Sequence, residues 1–163
     1  MKTYRVFAYL IALQVAVQAA ALAFHSAGLG HWIYADRNTA TRATLEEDSA
    51  VDYTGKIGSL VHGENGAMII PLIAIALLIV AVIVRKRMIG GVRWAGIVLG
   101  LVVLQVVLGF VTLEVPAIGA LHAVNAFLLL WAALHAARLP GVAPALVPGA
   151  IESIAEPTAR TTA

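Results

Sequence analysis

Two of the five histidines in this 163-residue chain share a setting that suits metal chemistry. His62 lies five residues after Ile57, where one long apolar run begins, and His122 lies five residues after Ala117, where another begins. At the rise of an α-helix each sits roughly 8 Å inside the start of its run. An ionisable side chain inside an apolar helix is costly to keep and is a candidate functional residue for that reason. Two neutral imidazoles at equal depth on facing helices could complete an octahedral iron from opposite sides.

The neighbours of both histidines are small. Gly58, His62 and Gly66 recur at four-residue spacing on one helical face, and Gly119 and Ala126 flank His122 in much the same way. Missing side chains on either side of an imidazole would let a flat macrocycle approach the backbone. Haem b, bound noncovalently with His62 and His122 as metal ligands and Gly58, Gly66, Gly119 and Ala126 beside it, is the expected cofactor. The competing reading is close helix packing through small residues, with the histidines hydrogen-bonding to neighbouring helices. Zinc fits less well. Two histidines fill half a tetrahedral shell, and Glu64 lies about 200° around the helix from His62.

The remaining polar groups sort by position. His135 falls thirteen residues after His122, ~20 Å deeper along the helix and near its opposite face, which marks an interface residue and not a third ligand. His25 and His31 bracket the end of the first apolar run; His31 reads as solvated, and His25 could contact a ligand, conduct protons or be solvated. Gln14 and Gln18 sit one turn apart, and Gln105 lies within the third run; hydrogen bonding across helices is the expected role of all three. Gly96 and Gly100 form a small-xxx-small pair suited to a close crossing within the chain or between copies.

The elements that must position these residues follow from composition. Hydrophobic residues make up 61% of the chain and charged ones 12%, against about a quarter charged in an ordinary soluble domain. Four apolar runs, residues 6–29, 57–84, 92–113 and 117–137, each reach the ~20 residues a helix needs to cross the hydrocarbon. Lipid cannot satisfy backbone polar groups, and no run alternates as a barrel strand does, so the expected fold is an all-α integral membrane bundle. Short connections make it up-down-up-down, with the second and fourth helices on a diagonal.

Basic residues set the orientation. Lys2 and Arg5 precede the first run, Arg85, Lys86, Arg87 and Arg93 flank the second connection, and Arg138 ends the fourth run. The positive-inside rule puts all of them, and both termini, in the cytoplasm, and makes residues 30–56 an outer loop, with Trp32, Tyr34 and Tyr53 at headgroup level. A multi-pass protein of a prokaryotic plasma membrane is the expected location, with the bilayer as its main partner. A sequence pI near 9.2 is accounted for by these topology determinants, so nucleic acid is not expected as a partner. A cleaved signal peptide is the rival reading of the first run, with small residues at Ala20, Ala21 and Ala23, but the run exceeds a typical h-region of about 7 to 15 residues. Prolines at 140, 144, 148 and 157 make residues 139–163 an expected flexible cytoplasmic tail. The absence of cysteine excludes disulfides, thiolate metal sites and covalent haem attachment.

The stretch Leu104-Gln-Val-Val-Leu-Gly-Phe-Val-Thr-Leu113, followed after a short loop by Leu121-His-Ala-Val-Asn-Ala-Phe-Leu128, resembles the third and fourth helices of one half of the heme A synthase family. Ser26-Ala-Gly-Leu-Gly-His-Trp32 is similar to the segment closing that family's first helix, and His62 stands where its second-helix histidine does. The resemblance spans roughly residues 5–138. It implies a haem held by a pair of histidines. Family members have eight helices in two such halves, so a single half implies a minimal version or a homodimer. The resemblance also breaks. Ser59 occupies the position of the family's catalytic glutamate, Gly63 that of a common arginine, and the outer-loop cysteines are missing.

The expected function is therefore a haem-b-binding membrane protein serving electron transfer, haem handling or an oxidase-associated role, with a redox or oxidase-assembly partner. Two alternatives stand beside it. One is a divergent heme A synthase, an oxidoreductase in which Glu47 or Asp48 replaces the missing acid. The other is a cofactor-free assembly or transport subunit.

Overall fold

In a computed structural model of the protein, which describes residues 1–41 and 51–141, four helices are long and apolar enough to cross a membrane. They are α1 (Lys2–Tyr34), α2 (Lys56–Ile83), α3 (Gly91–Glu114) and α4 (Ile118–Ala137). The chain is thus an all-helical, multi-pass membrane protein. α1 continues five residues beyond the expected end at Leu29, because Gly28 and Gly30 do not interrupt its hydrogen bonding and Ala35 N–H caps it on His31 O. Of the expected tail, residues 142–163 lie outside the described region.

α1 packs against α2 and α4, and α3 packs against the same two helices, so α2 and α4 are diagonal neighbours, as are α1 and α3. At one end of the bundle the buried Tyr4 hydroxyl donates to Gly91 O at 3.1 Å and Arg5 donates to Leu139 O at 3.2 Å. Met88 and Gly141 form an antiparallel bridge at the same end. At the other end the turn before α2 closes on α1: Tyr53 Oη meets His25 Nδ1 at 3.2 Å, and a β-carbon on Gly28 would overlap the Thr54 carbonyl. Gly55 begins α2 with φ of 99°, a left-handed conformation that glycine adopts without steric cost.

Burial divides the bundle along its length. The apolar core comprises Tyr4, Ala8, Ile11, Ala12 and Val15 of α1, and Ile70, Ala74, Leu77 and Ala81 of α2. From α3 it takes Ala95, Val98 and Val102, and from α4 Leu129, Ala132, Ala133, Ala136 and Ala137. Spacings of three and four residues put each set on one helical face. Among the described residues, no apolar side chain of the other half is fully buried; the buried residues there are Gly28, Gly55, Gly58 and Asn125.

α2 is not a uniform α-helix. Asn65–Ile69 form one π turn between α-helical stretches Lys56–Glu64 and Ile70–Ile83. Pro71 stands just beyond it, without the N–H that a regular helix would return to Ala67 O. In a straight helix His62 and Ala74 would point about 120° apart. The extra residue of the π turn takes back about 100°. His62 and the Ala74 stripe consequently face the same interior.

Candidate functional site

The polar half of the bundle is built from two similar sets of side chains. On α2, His62 is followed at three residues by Asn65; on α4, His122 is followed at three residues by Asn125. Three residues apart on a helix is one face, so each pair points the same way. A glutamine from the preceding helix serves each pair: Gln18 of α1 for the first, Gln105 of α3 for the second.

In the second set, His122 Nδ1 is 3.1 Å from Gln105 O, and His122 Nε2 is 3.0 Å from Gln105 Nε2. Asn125 Nδ2 donates to Gln105 Oε1 at 2.6 Å and to Leu101 O at 3.0 Å. Gly109, one turn beyond Gln105, gives the ring its seat; a β-carbon there would stand 3.3 Å from His122 Cε1. Asn125 is 3% exposed and its Oδ1 is buried without a hydrogen-bond donor.

In the first set, His62 Nδ1 is 3.4 Å from Gln18 O. With its amide oriented to satisfy all its neighbours, Gln18 donates to His62 O at 3.0 Å and His62 Nδ1 at 2.6 Å, and accepts from Gly66 N at 3.1 Å and Asn65 Nδ2 at 3.0 Å. Gln18 thereby fills the break that the π turn opens in the α2 ladder, which explains how a helix in lipid tolerates it. His62 has two tautomers open to it: Nδ1–H directed at the Gln18 carbonyl, which leaves Nε2 free to ligate, or Nδ1 accepting from the Gln18 amide. Asn65 Nδ2 also donates to Gln14 Oε1 at 2.9 Å.

The two sets meet at their histidines. The rings of His62 and His122 have centres 6.2 Å apart and planes inclined by 61°. With metal–nitrogen bonds of about 2 Å, two imidazoles on opposite sides of one metal ion place their ring centres ~6 Å apart. That separation is one that two axial imidazoles of a single iron would show, while the ring nitrogens themselves are engaged by Gln105 and Gln18. Nδ1 of His122 lies on the Gln105 carbonyl, the outer contact that orients metal-binding imidazoles. Among the described residues no three His, Cys, Asp or Glu gather, so the arrangement offers two protein ligands.

The flanking small residues are placed differently from the simple picture of an open face on either side of each ring. A β-carbon on Gly58 would overlap the Ala21 carbonyl, so this glycine admits the α1 backbone. One on Gly66 would meet Gln18 Oε1 at 3.5 Å, and one on Gly119 would meet Thr112 Cγ2 at 3.3 Å. Ala126 packs on the edge of the apolar core.

No protein-family model, curated protein or solved structure matches the chain.

The other histidines stand apart. His135 stacks on Trp94 with ring centres 4.0 Å apart and also approaches Trp131 at 5.6 Å, at the far end of α4. His31 is exposed and 3.8 Å from Asp36 Oδ2. His25 meets Tyr53, whose phenol pKa is pushed up by partial burial. Glu64 is exposed, and Glu47 and Asp48 lie outside the described residues. Asn65, Gly109 and Asn125 were the members of the site that spacing alone did not single out. The twice-repeated His-x-x-Asn is the signal that could have found the two asparagines.

Proposed function

We propose that the chain is a haem-b-binding membrane protein of the heme A synthase-like type, with His62 and His122 as axial ligands. Its role is electron transfer, haem handling or service to an oxidase. The observation that carries this reading is the approach of two histidine rings from diagonal helices to 6.2 Å, a spacing that packing alone does not require. Supporting it, the polar half of the bundle keeps both rings half-buried while the other half supplies a close-packed apolar frame.

Bound haem would supply one-electron chemistry at its iron. The residues around it hold the ligands: the Gln105 carbonyl fixes the His122 tautomer with its proton on Nδ1, and the Gln18 carbonyl can do the same for His62. Buried asparagine and glutamine amides fix the helix register that keeps the rings opposed. The proposal includes an up-down-up-down course with both termini in the cytoplasm of a prokaryotic cell, which places the histidines toward the outer leaflet. A homodimer would restore the two-half arrangement of the family it resembles.

The test is an absorption spectrum of the detergent-purified protein, oxidised and reduced, after titration with haem b. A stoichiometric Soret band with low-spin character supports the reading. A protein that stays colourless through the titration overturns it in favour of a cofactor-free subunit.

A further inference from the structure

Among the described residues the acidic side chains occupy one end of the bundle only: Asp36, Asp52, Glu64 and Glu114 all lie toward the histidines. The Tyr4 end carries Lys2, Arg5, Arg85, Lys86, Arg87, Arg93 and Arg138 with no described carboxylate near them. Arg5 donates to Leu139 O. Arg85, Lys86, Arg87, Arg93 and Arg138 make no hydrogen bond or ion pair among the described residues.

Three of these cations are set apart by what adjoins them. α2 ends at Ile83, Val84 leaves helical geometry with ψ of 9°, and Arg85–Arg87 form one 3-10 turn. Val82, Ile83 and Val84 line a groove of about 610 Å³ together with Arg85, Lys86 and Arg87. Val82 is 46% exposed and Ile83 75%, so the wall of the groove passes from open apolar surface to cations within six residues. Consecutive residues of a 3-10 turn are spread at ~120°, so the cations reach the groove from different directions and not as one flat patch. A cation near a helix C-terminus complements the macrodipole, and basic residues at this end suit the positive-inside rule. Neither effect requires a groove, and Lys2, Arg5, Arg93 and Arg138 already serve the second.

We propose that this groove is a site for one anionic phospholipid of the leaflet at the Tyr4 end, with its phosphate among Arg85, Lys86 and Arg87 and an acyl chain over Val82 and Ile83. The phosphate brings the negative charge that this end lacks, in a form that arginine forks bind well. The hydrocarbon chain covers the apolar wall. This inference is independent of the haem reading.

The test uses the full chain in maltoside micelles, titrated with phosphatidylglycerol and read by native mass spectrometry. One phosphatidylglycerol should bind saturably, and phosphatidylcholine, whose phosphate is offset by its own ammonium group, should bind much more weakly. Glycerol 3-phosphate, which has the anionic group without acyl chains, should not displace the lipid. Arg85→Gln combined with Arg87→Gln should weaken phosphatidylglycerol roughly 25-fold, at about fivefold per basic residue. Arg93→Gln combined with Arg138→Gln removes the same charge from the same end and should leave the affinity nearly unchanged. Equal losses in the two double variants would mean that lipid answers to the net charge of this end, and the site falls. It falls equally if the wild type shows no saturable first lipid or does not distinguish the two phospholipids. Displacement by glycerol 3-phosphate would reassign the groove to a soluble anion and overturn the lipid. The wild-type measurements decide the matter even where a double variant fails to insert.

Discussion

His62 and His122 face each other across the diagonal of the bundle, ring centres 6.2 Å apart, and neither reaches the other's helix for support. Each is held by the helix next to it in sequence, α1 for His62 and α3 for His122. The site is a junction of two helical hairpins, each carrying a glutamine, a histidine and an asparagine.

Removing either ligand should open one coordination position. His62→Ala and His122→Ala are each expected to convert a low-spin spectrum to high-spin or to lose haem. Wild-type low-spin spectra in both variants would assign the histidines to packing.

Deleting Ala67 should convert the π turn of α2 to regular helix and turn His62 away from the interior by about 100°. The Ala74 stripe would stay in place, so helical content by circular dichroism should be kept while the haem spectrum is lost. Retention of a wild-type spectrum would show that the phase of α2 is set elsewhere.

Gly58 and Gly96 make a matched pair for testing close helix approach. Gly58→Leu meets the Ala21 carbonyl and should lower thermal stability in detergent by an amount on the order of 1–3 kcal/mol. Gly96→Leu has no atom within 4 Å of its added β-carbon and should leave the monomer unaffected. Equal losses from both would mean that Gly96 is covered by a second copy of the chain.

His135→Ala should leave any haem spectrum unchanged while altering tryptophan emission, because the ring stacks on Trp94 and lies far along α4 from His122. Loss of haem here would mean that the wrong histidines have been paired.

Reporter fusions test the orientation. One placed after Lys86 should read cytoplasm, and one near Arg42 should read the outside. An external reading after Lys86 would reverse the bundle in the membrane and put the histidines toward the inner leaflet.

The four helices could be read from sequence because lipid leaves few options for an apolar run of some twenty residues. The approach of His62 to His122 was readable for a related reason, since equal depth follows from counting residues along helices that start at the same surface. What Gly58 and Gly66 face was not. Their phase beside His62 is local arithmetic, but the arrival of α1 at that face depends on which helix packs where. The π turn was hidden too: Pro71 marks the place, yet a proline in a membrane helix can equally kink it. Without that turn the same counting would have rotated the core stripe of α2 away from the histidine it supports.

The apolar core ends at the level of Val15, Ile70, Val102 and Asn125, and this separates durability from chemistry. Most buried apolar contact lies on the far side of the histidines from the outer turn, so substitutions at His62 and His122 themselves draw on little of the apolar packing that holds the helices together. Sequence drift can explore that upper half while the chain still inserts and accumulates. A family built on such a frame could exchange one ligand set for another many times over, and its members would share a lower bundle long after their sites had ceased to look alike.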